Sequence, residues 1–201
     1  MTEPERELPK RESLAEKRAR RAAIDDPEIV LGAAARFLEA RSRAVAEVRR
    51  RLGSAGYRTD LVDGAIARLT LLGILDDEAF ARAWVESRDR ARPRGERALR
   101  AELSLKGIER SIVDTVLADR REVAAAVRSD GVVVSADLAA AERLLARHAR
   151  SLGRVLGLGQ RRQRAYGLLA RHGFDPETCR EAAAAVVAGP DADGIETADA
   201  R

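Results

Sequence analysis

The chain is 201 residues long, room for one or two ordinary domains, and carries 45% hydrophobic but only 3% aromatic residues. A core so poor in large rings buries less area per residue, which disfavours one thick centre and favours thin layers of small-residue helices. With 35% charged residues and a formal net charge of +4, a polyanionic partner is permitted but not required.

Residues 1–26 alternate acids and bases without an apolar face, and they are expected to be a charged N-terminal segment, mostly disordered or fraying into a helix. This opening has no apolar h-region, and no later apolar run approaches membrane-spanning length, so a soluble cytoplasmic protein with no membrane contact is expected. From Asp26-Pro27 onward the pattern is helical almost everywhere. The spacing predicts nine helices, over 27–40, 42–54, 59–72, 76–91, 93–106, 109–127, 136–156, 159–171 and 175–187. Asp26-Pro27 and Asp175-Pro176 each offer an N-cap carboxylate followed by proline at the first helical position. Ser42, Thr59, Asp76 and Ser135 are further N-cap candidates. Val132-Val133-Val134 is the only strand-like run, too short to support a sheet. Residues 188–201 are acidic, lack an apolar stripe and are expected to be disordered.

Three helix joints share the pattern Leu-x-x-x-Gly-apolar: Leu52 to Gly56-Tyr57, Leu103 to Gly107-Ile108, and Leu169 to Gly173-Phe174. Six residues beyond each glycine stand Val62, Val113 and Cys179; nine beyond, Ala65, Val116 and Ala182; ten beyond, Ile66, Leu117 and Ala183. Small and apolar residues thus recur in register. A glycine just past a helix takes the left-handed conformation without a Cβ penalty, so these glycines read as turn-formers and not as phosphate binders. Cys179, the only cysteine, excludes an internal disulfide and reads as a small core residue. Adding the preceding helix to each joint gives an all-α fold of three tandem three-helix units, an elongated, curved helical repeat. The units are placed at 27–73, 74–128 and 129–187.

Only three of the 37 basic residues are lysines, Lys10, Lys17 and Lys106, so the placement of the arginines is more informative than their number. One cluster, Arg88, Arg90, Arg92, Arg94, Arg97 and Arg100, spans a helix end, the turn around Pro93-Arg94-Gly95 and the next helix start. Planar guanidinium forks suit phosphates or carboxylates. A solvated helix pair with ion pairs such as Arg92–Glu96 is the alternative. A second cluster holds Arg143, Arg147, Arg150, Arg154, Arg161, Arg162 and Arg164, and residues 143–172 contain no acid at all. Its first four members fall four, three and four residues apart, along one helix face. Asp76, Asp77 and Glu78 read as a cap that complements the helix dipole, and Phe80 and Trp84 as core anchors. There is no Walker-type loop, H-E-x-x-H, G-x-S-x-G or metal-ligand cluster, so no enzyme, metal or cofactor is expected.

The stretch Leu75–Ile108 (LDDEAFARAWVESRDRARPRGERALRAELSLKGI) resembles the most characteristic segment of the RecX family: a Leu-Asp-Asp-x-x-Phe-Ala opening, basic residues, a glycine, Glu-Leu and Lys-Gly-Ile. Ala46–Leu52 and Leu168–Phe174 add matching segments before and after it. The resemblance covers roughly residues 33–187. It implies a regulator lying in the groove of the RecA–DNA filament that restrains the filament's ATPase, strand-exchange and co-protease activities. A monomer is expected, and the arginine clusters allow single-stranded or duplex DNA as a further partner. The glycine spacing departs from an even repeat, 51 residues from Gly56 to Gly107 but 66 from Gly107 to Gly173, which marks Arg120–Asp137 as a lengthened connector. A helical DNA-binding transcription regulator is the alternative function.

Overall fold

A computed structural model describes residues 12–125 and 134–187. The expected disorder of 1–11 and 188–201, and the strand-like pair Val132-Val133, lie outside the described residues. Among the described residues there are ten helices and no strand: α1 (Leu14–Ala22), α2 (Pro27–Leu38), α3 (Val45–Ala55), α4 (Thr59–Leu71), α5 (Asp77–Ala91), α6 (Glu96–Leu105), α7 (Arg110–Ala125), α8 (Ala136–Gly153), α9 (Leu158–Arg171) and α10 (Pro176–Val187). The all-α expectation holds, and each of the nine predicted helices has its counterpart. The chain forms two compact bodies, divided after Asp76.

In the first body α2, α3 and α4 pack on one another around Val30, Ala34, Val48, Leu52, Val62, Ile66, Leu69 and Leu75. Asp26 caps α2 as expected, its carboxylate accepting from the Glu28 amide at 2.9 Å. Two other cap expectations fail. Ala44, not Ser42, takes the extended N-cap conformation before α3, and Arg58 does so before α4, which makes Thr59 the first helical residue.

Helix α1 corrects the expectation of a disordered segment up to residue 26. It buries no side chain, which is why no apolar face is visible in its sequence. Ser13 and Glu16 form a reciprocal capping box, with Ser13 Oγ accepting from the Glu16 amide at 3.2 Å and Glu16 accepting from the Ser13 amide at 2.7 Å. The helix docks by backbone approach: a Cβ on Gly56 would lie 2.8 Å from the Arg18 carbonyl oxygen. Arg21 adds a hydrogen bond to the Ala55 carbonyl at 3.3 Å, on the C-terminal end of α3.

In the second body α5 and α6 pack on α7, α8 packs on both α9 and α10, and α7 contacts α8. The α8–α10 core is built from Leu138, Leu144, Leu145, Leu152, Leu169, Phe174 and a set of alanines with Cys179. Ser135 caps α8 by accepting from the Leu138 amide at 3.1 Å. Asp175 caps α10 by accepting from the amides of Glu177 and Thr178 at 2.9 and 3.0 Å. Phe80 is core, whereas Trp84 is only half-buried and has polar partners, so its expectation as a core anchor needs correcting.

The repeated joint has one geometry. Gly56, Gly107 and Gly173 have φ of 101°, 82° and 84°. The apolar residue after each glycine donates its amide to the leucine carbonyl five residues back: Tyr57 to Leu52 at 3.3 Å, Ile108 to Leu103 at 3.1 Å and Phe174 to Leu169 at 3.4 Å. This is a Schellman closure, and it explains why Leu, Gly and an apolar residue are needed at those offsets. The nine positions in register beyond the glycines are all at most 5% exposed. A fourth closure, Leu69 to Gly73-Ile74, ends α4 with φ of 68° and an amide bond of 2.9 Å. The pattern therefore marks helix ends generally. What identifies the repeat is the buried register that follows.

Candidate functional site

The central arginine cluster is divided by its surroundings. Glu102 on α6 accepts from Trp84 Nε1 at 2.9 Å and from Arg88 Nε at 2.6 Å, while Arg94 Nε stands 3.5 Å away. Arg88 and Lys106 lie over the Trp84 ring, 4.3 and 4.8 Å from its centre, and Phe80 stacks beside it at 6.0 Å. Glu102 is thus enclosed by donors and holds Arg88 and Arg94 inward. Arg100 pairs with Asp114 and with Glu96 at 3.2 Å, and Arg90 makes an exposed pair with Glu86 at 3.2 Å. Arg92 and Arg97 are exposed and have no side-chain partner among the described residues. The pair Arg92–Glu96 considered from spacing does not form; Glu96 binds Arg100 and Arg121.

The turn between α5 and α6 is built against the α9–α10 joint. Pro93 is fully buried, and the Gly95 amide donates to the His172 carbonyl at 3.1 Å. A Cβ on Gly95 would fall 2.3 Å from the Gly173 carbonyl oxygen. A Cβ on Gly173 would fall 2.4 Å from that of Ala98. The backbone of this corner joins the α5–α7 and α8–α10 sets, while Arg90, Arg92 and Arg97 of the predicted cluster are exposed around it.

Beside that corner lies a network the sequence reading missed. Arg120, with 7% of its side chain exposed, binds Asp89 through two hydrogen bonds of 2.8 and 2.9 Å and Asp137 through one of 2.6 Å. Asp137 also accepts from the Glu96 amide at 2.9 Å, and Arg143 stands 3.9 Å from Asp89. Burial alone would lower the pKa of Arg120, but the two carboxylates outweigh it and hold the guanidinium firmly charged. Glu96 is held below the usual carboxylate range, chiefly by its hydrogen bond from Arg121 and against the effect of burial.

The basic ridge on α8 also divides. Arg147 donates to the carbonyls of Arg90, at 2.6 Å, and Ala91, so a cation caps the C-terminal end of α5. The negative surface this ridge needs is thus partly supplied by a helix terminus and Asp89. Arg150 and Arg154 are exposed beyond that contact, as are Arg162 and Arg164 on α9. These four have no side-chain partner among the described residues. Arg161 turns back to the Val155 carbonyl at 3.4 Å.

Two ion pairs missed by the reading sit in repeat register. Arg49–Asp63, at 2.9 Å, and Arg100–Asp114 each bridge a joint from seven residues before the glycine to seven after it. The third joint carries Tyr166 and Arg180 instead. An Arg-x13-Asp spacing centred on glycine was the available signal.

Models described as "RecX, first three-helix domain" and "RecX, second three-helix domain" match residues 31–69 and 76–117. The regulatory protein RecX of Mycobacterium avium (strain 104) is 32% identical over 153 residues, covering 76% of this chain and 82% of that protein. The chain belongs to the RecX family. Its RecX relatives from Mycolicibacterium vanbaalenii and Mycobacterium ulcerans are 43% identical over 83 residues; there the match spans 45% and 48% of the relative, about half its length. The crystal structure of RecX from Lactobacillus salivarius has the same fold, with a TM-score of 0.66 and 18% identity, covering 81% of this chain and 97% of that one. A second RecX crystal structure gives a TM-score of 0.60, also at 18% identity, with coverage of 82% and 70%. Among the described residues no helix is long and apolar enough to cross a membrane, and no three His, Cys, Asp or Glu side chains are grouped to hold a metal.

Proposed function

We propose that this RecX-family protein binds the RecA–single-stranded DNA filament and restrains its ATPase, strand-exchange and co-protease activities. It acts as a cytoplasmic monomer, by occupancy and without a chemical step. The observation that carries the reading is a set of exposed arginines, Arg92, Arg97, Arg150, Arg154, Arg162 and Arg164, without side-chain partners among the described residues of a RecX-family chain. Unneutralised guanidinium groups on one molecule repel one another, and a negatively charged surface relieves that cost. Arg88, Arg94, Arg100 and Arg147 are held in internal contacts and contribute by fixing the helices that carry the exposed arginines.

Titration of the protein into RecA on single-stranded DNA, with ATP hydrolysis followed, tests the reading. Turnover should fall as the protein approaches stoichiometry with RecA. Replacing Arg92, Arg97, Arg150 and Arg154 together by Ala should weaken inhibition by about tenfold, the loss of about 1.4 kcal/mol of binding, while helicity stays intact. Unchanged ATP turnover with the wild-type protein would remove the proposal. The transcription-regulator reading is less well supported, because α4 and α7 turn Val62, Ile66, Val113 and Leu117 into cores.

A further inference from the structure

The ridge of α8 and α9 belongs to the same body as an acidic segment of this chain, residues 188–201. A depression of about 590 Å³ along α8 is lined by Arg147, His148, Arg150 and Arg154, and one of about 260 Å³ along α9 by Gln160, Gln163, Arg164 and Arg171. No carboxylate among the described residues lines either depression, and residues 143–172 contain no acid. Arg150, Arg154, Arg162, Arg164 and Arg171 are all exposed. The segment 188–201 holds Asp191, Asp193, Glu196 and Asp199 against one base, Arg201. It follows α10, which packs on both α8 and α9, and Val186 in the last turn of α10 lies against the core those helices share.

We infer that in the free protein the segment 188–201 lies across its own α8 and α9, with its carboxylates against Arg150, Arg154, Arg162 and Arg164, and that a stronger polyanion displaces it. Reach permits this. At about 3.3 Å per residue the segment extends up to about 45 Å, whereas the 18 residues of α8 span about 27 Å. Spacing permits it too: acids two or three residues apart on an extended chain stand about 7–10 Å from one another, close to the rise of about 6 Å between Arg150 and Arg154. Each such exposed pair is weak and is screened by salt. Tethering offsets that weakness, because an attached segment is present at an effective concentration on the order of millimolar. An acidic stretch of another protein would need that concentration in solution to compete. The contact therefore relieves the repulsion within the ridge while the protein is alone, and yields to a denser row of negative charge. The contact itself requires no filament; only its effect on inhibition rests on the function proposed above.

The test uses the full chain with a nitroxide attached at Thr197→Cys and its amide resonances followed by NMR; Cys179 is fully buried and escapes labelling. Amides of residues 150–164 should broaden at low salt and recover at about 0.5 M salt, where charges are screened beyond about 4 Å. Changing Asp191→Asn, Asp193→Asn, Glu196→Gln and Asp199→Asn together should abolish the broadening. Replacing Arg150, Arg154, Arg162 and Arg164 together by Ala should do the same with helicity unchanged by circular dichroism, these side chains being at the surface. Three results would overturn the inference: no broadening on α8 or α9, broadening that survives neutralisation of the segment, or equal broadening when the nitroxide and the isotope enrichment are on separate molecules. In the ATP-hydrolysis assay, neutralising the segment should lower the protein concentration for half-inhibition about fourfold, as for a ridge covered about three-quarters of the time. An unchanged midpoint would overturn displacement of the segment. Absence of RecA inhibition by the wild type would remove the filament reading alone, since the NMR experiment decides the contact without RecA.

Discussion

Arg120→Ala removes a guanidinium that makes three hydrogen bonds to two carboxylates while only 7% of its side chain is exposed. The side chains left behind, Asp89 and Asp137, are 23% and 15% exposed, so neither carboxylate recovers full hydration. Breaking such a pair by deleting one partner costs about 3–5 kcal/mol, because a charge is left uncompensated. Asp137 keeps its hydrogen bond from the Glu96 amide, and Asp89 keeps Arg143 at 3.9 Å. These residual partners place the expected loss near the lower bound, about 3 kcal/mol, or a fall of roughly 10 °C in Tm. Urea denaturation of the full chain followed at the helix band measures it, and the transition assigned to the second body should shift. Replacing Arg120 by Met together with Asp89→Asn and Asp137→Asn should recover much of the loss, since the only charge left without its partner, Arg143, is solvent-exposed. A loss for Arg120→Ala below about 1 kcal/mol, the range of an exposed ion pair, would refute the reasoning by showing that water screens the network.

The glycines give a graded set. Gly73→Ala, at φ 68° with open space around the new Cβ, should cost about 1–2 kcal/mol from conformation alone; Gly173→Ala, at φ 84° and 2.4 Å from the Ala98 Cβ, should cost clearly more in the same thermal melts. Arg147→Ala should cost about 1 kcal/mol, the value of a cation at a helix C-terminus, and should loosen amide protection in the last turn of α5 by hydrogen exchange. Asp175→Ala should cost about 1 kcal/mol at neutral pH. Burial acts to raise the Asp175 pKa, but hydrogen bonds from Thr178 and Glu177 overcome it and leave it below 3.8. The stabilisation is therefore complete above the unfolded value of 3.8 and is lost as pH falls through the lower folded value. The gap between wild type and variant should narrow below that point in pH-dependent melts.

Local rules made much of the fold legible. The Leu-x-x-x-Gly-apolar joints are closed by bonds within six residues, and such closures leave their signature in the same short stretch of sequence. The buried register beyond them is legible because a helix buries residues at fixed offsets. The docking of helix α1 was not legible: Gly56 accepts the Arg18 backbone in place of a side chain, and a backbone contact leaves no hydrophobic pattern. The arginine clusters were legible as clusters but not in their use. Arg147 reaches carbonyls 56 and 57 residues away, and Arg120 reaches Asp89 across 31 residues. Contacts of that range depend on how helices are placed, which composition and spacing do not determine.

The same distances explain why counting arginines misleads in this protein. An arginine beside a carboxylate and at least half buried contributes to the fold and is largely unavailable to a phosphate, since removing it from its partner costs what binding would gain. An arginine in water with no carboxylate nearby contributes little to stability and keeps its affinity for an anion. Arg120 lies at the first extreme and Arg92, Arg97, Arg162 and Arg164 at the second. Arg36 and Arg51, exposed and without an ion pair among the described residues, belong with the second group despite lying outside both clusters. Pairing state, read one side chain at a time, therefore separates the arginines that build this molecule from those that can meet a negatively charged polymer.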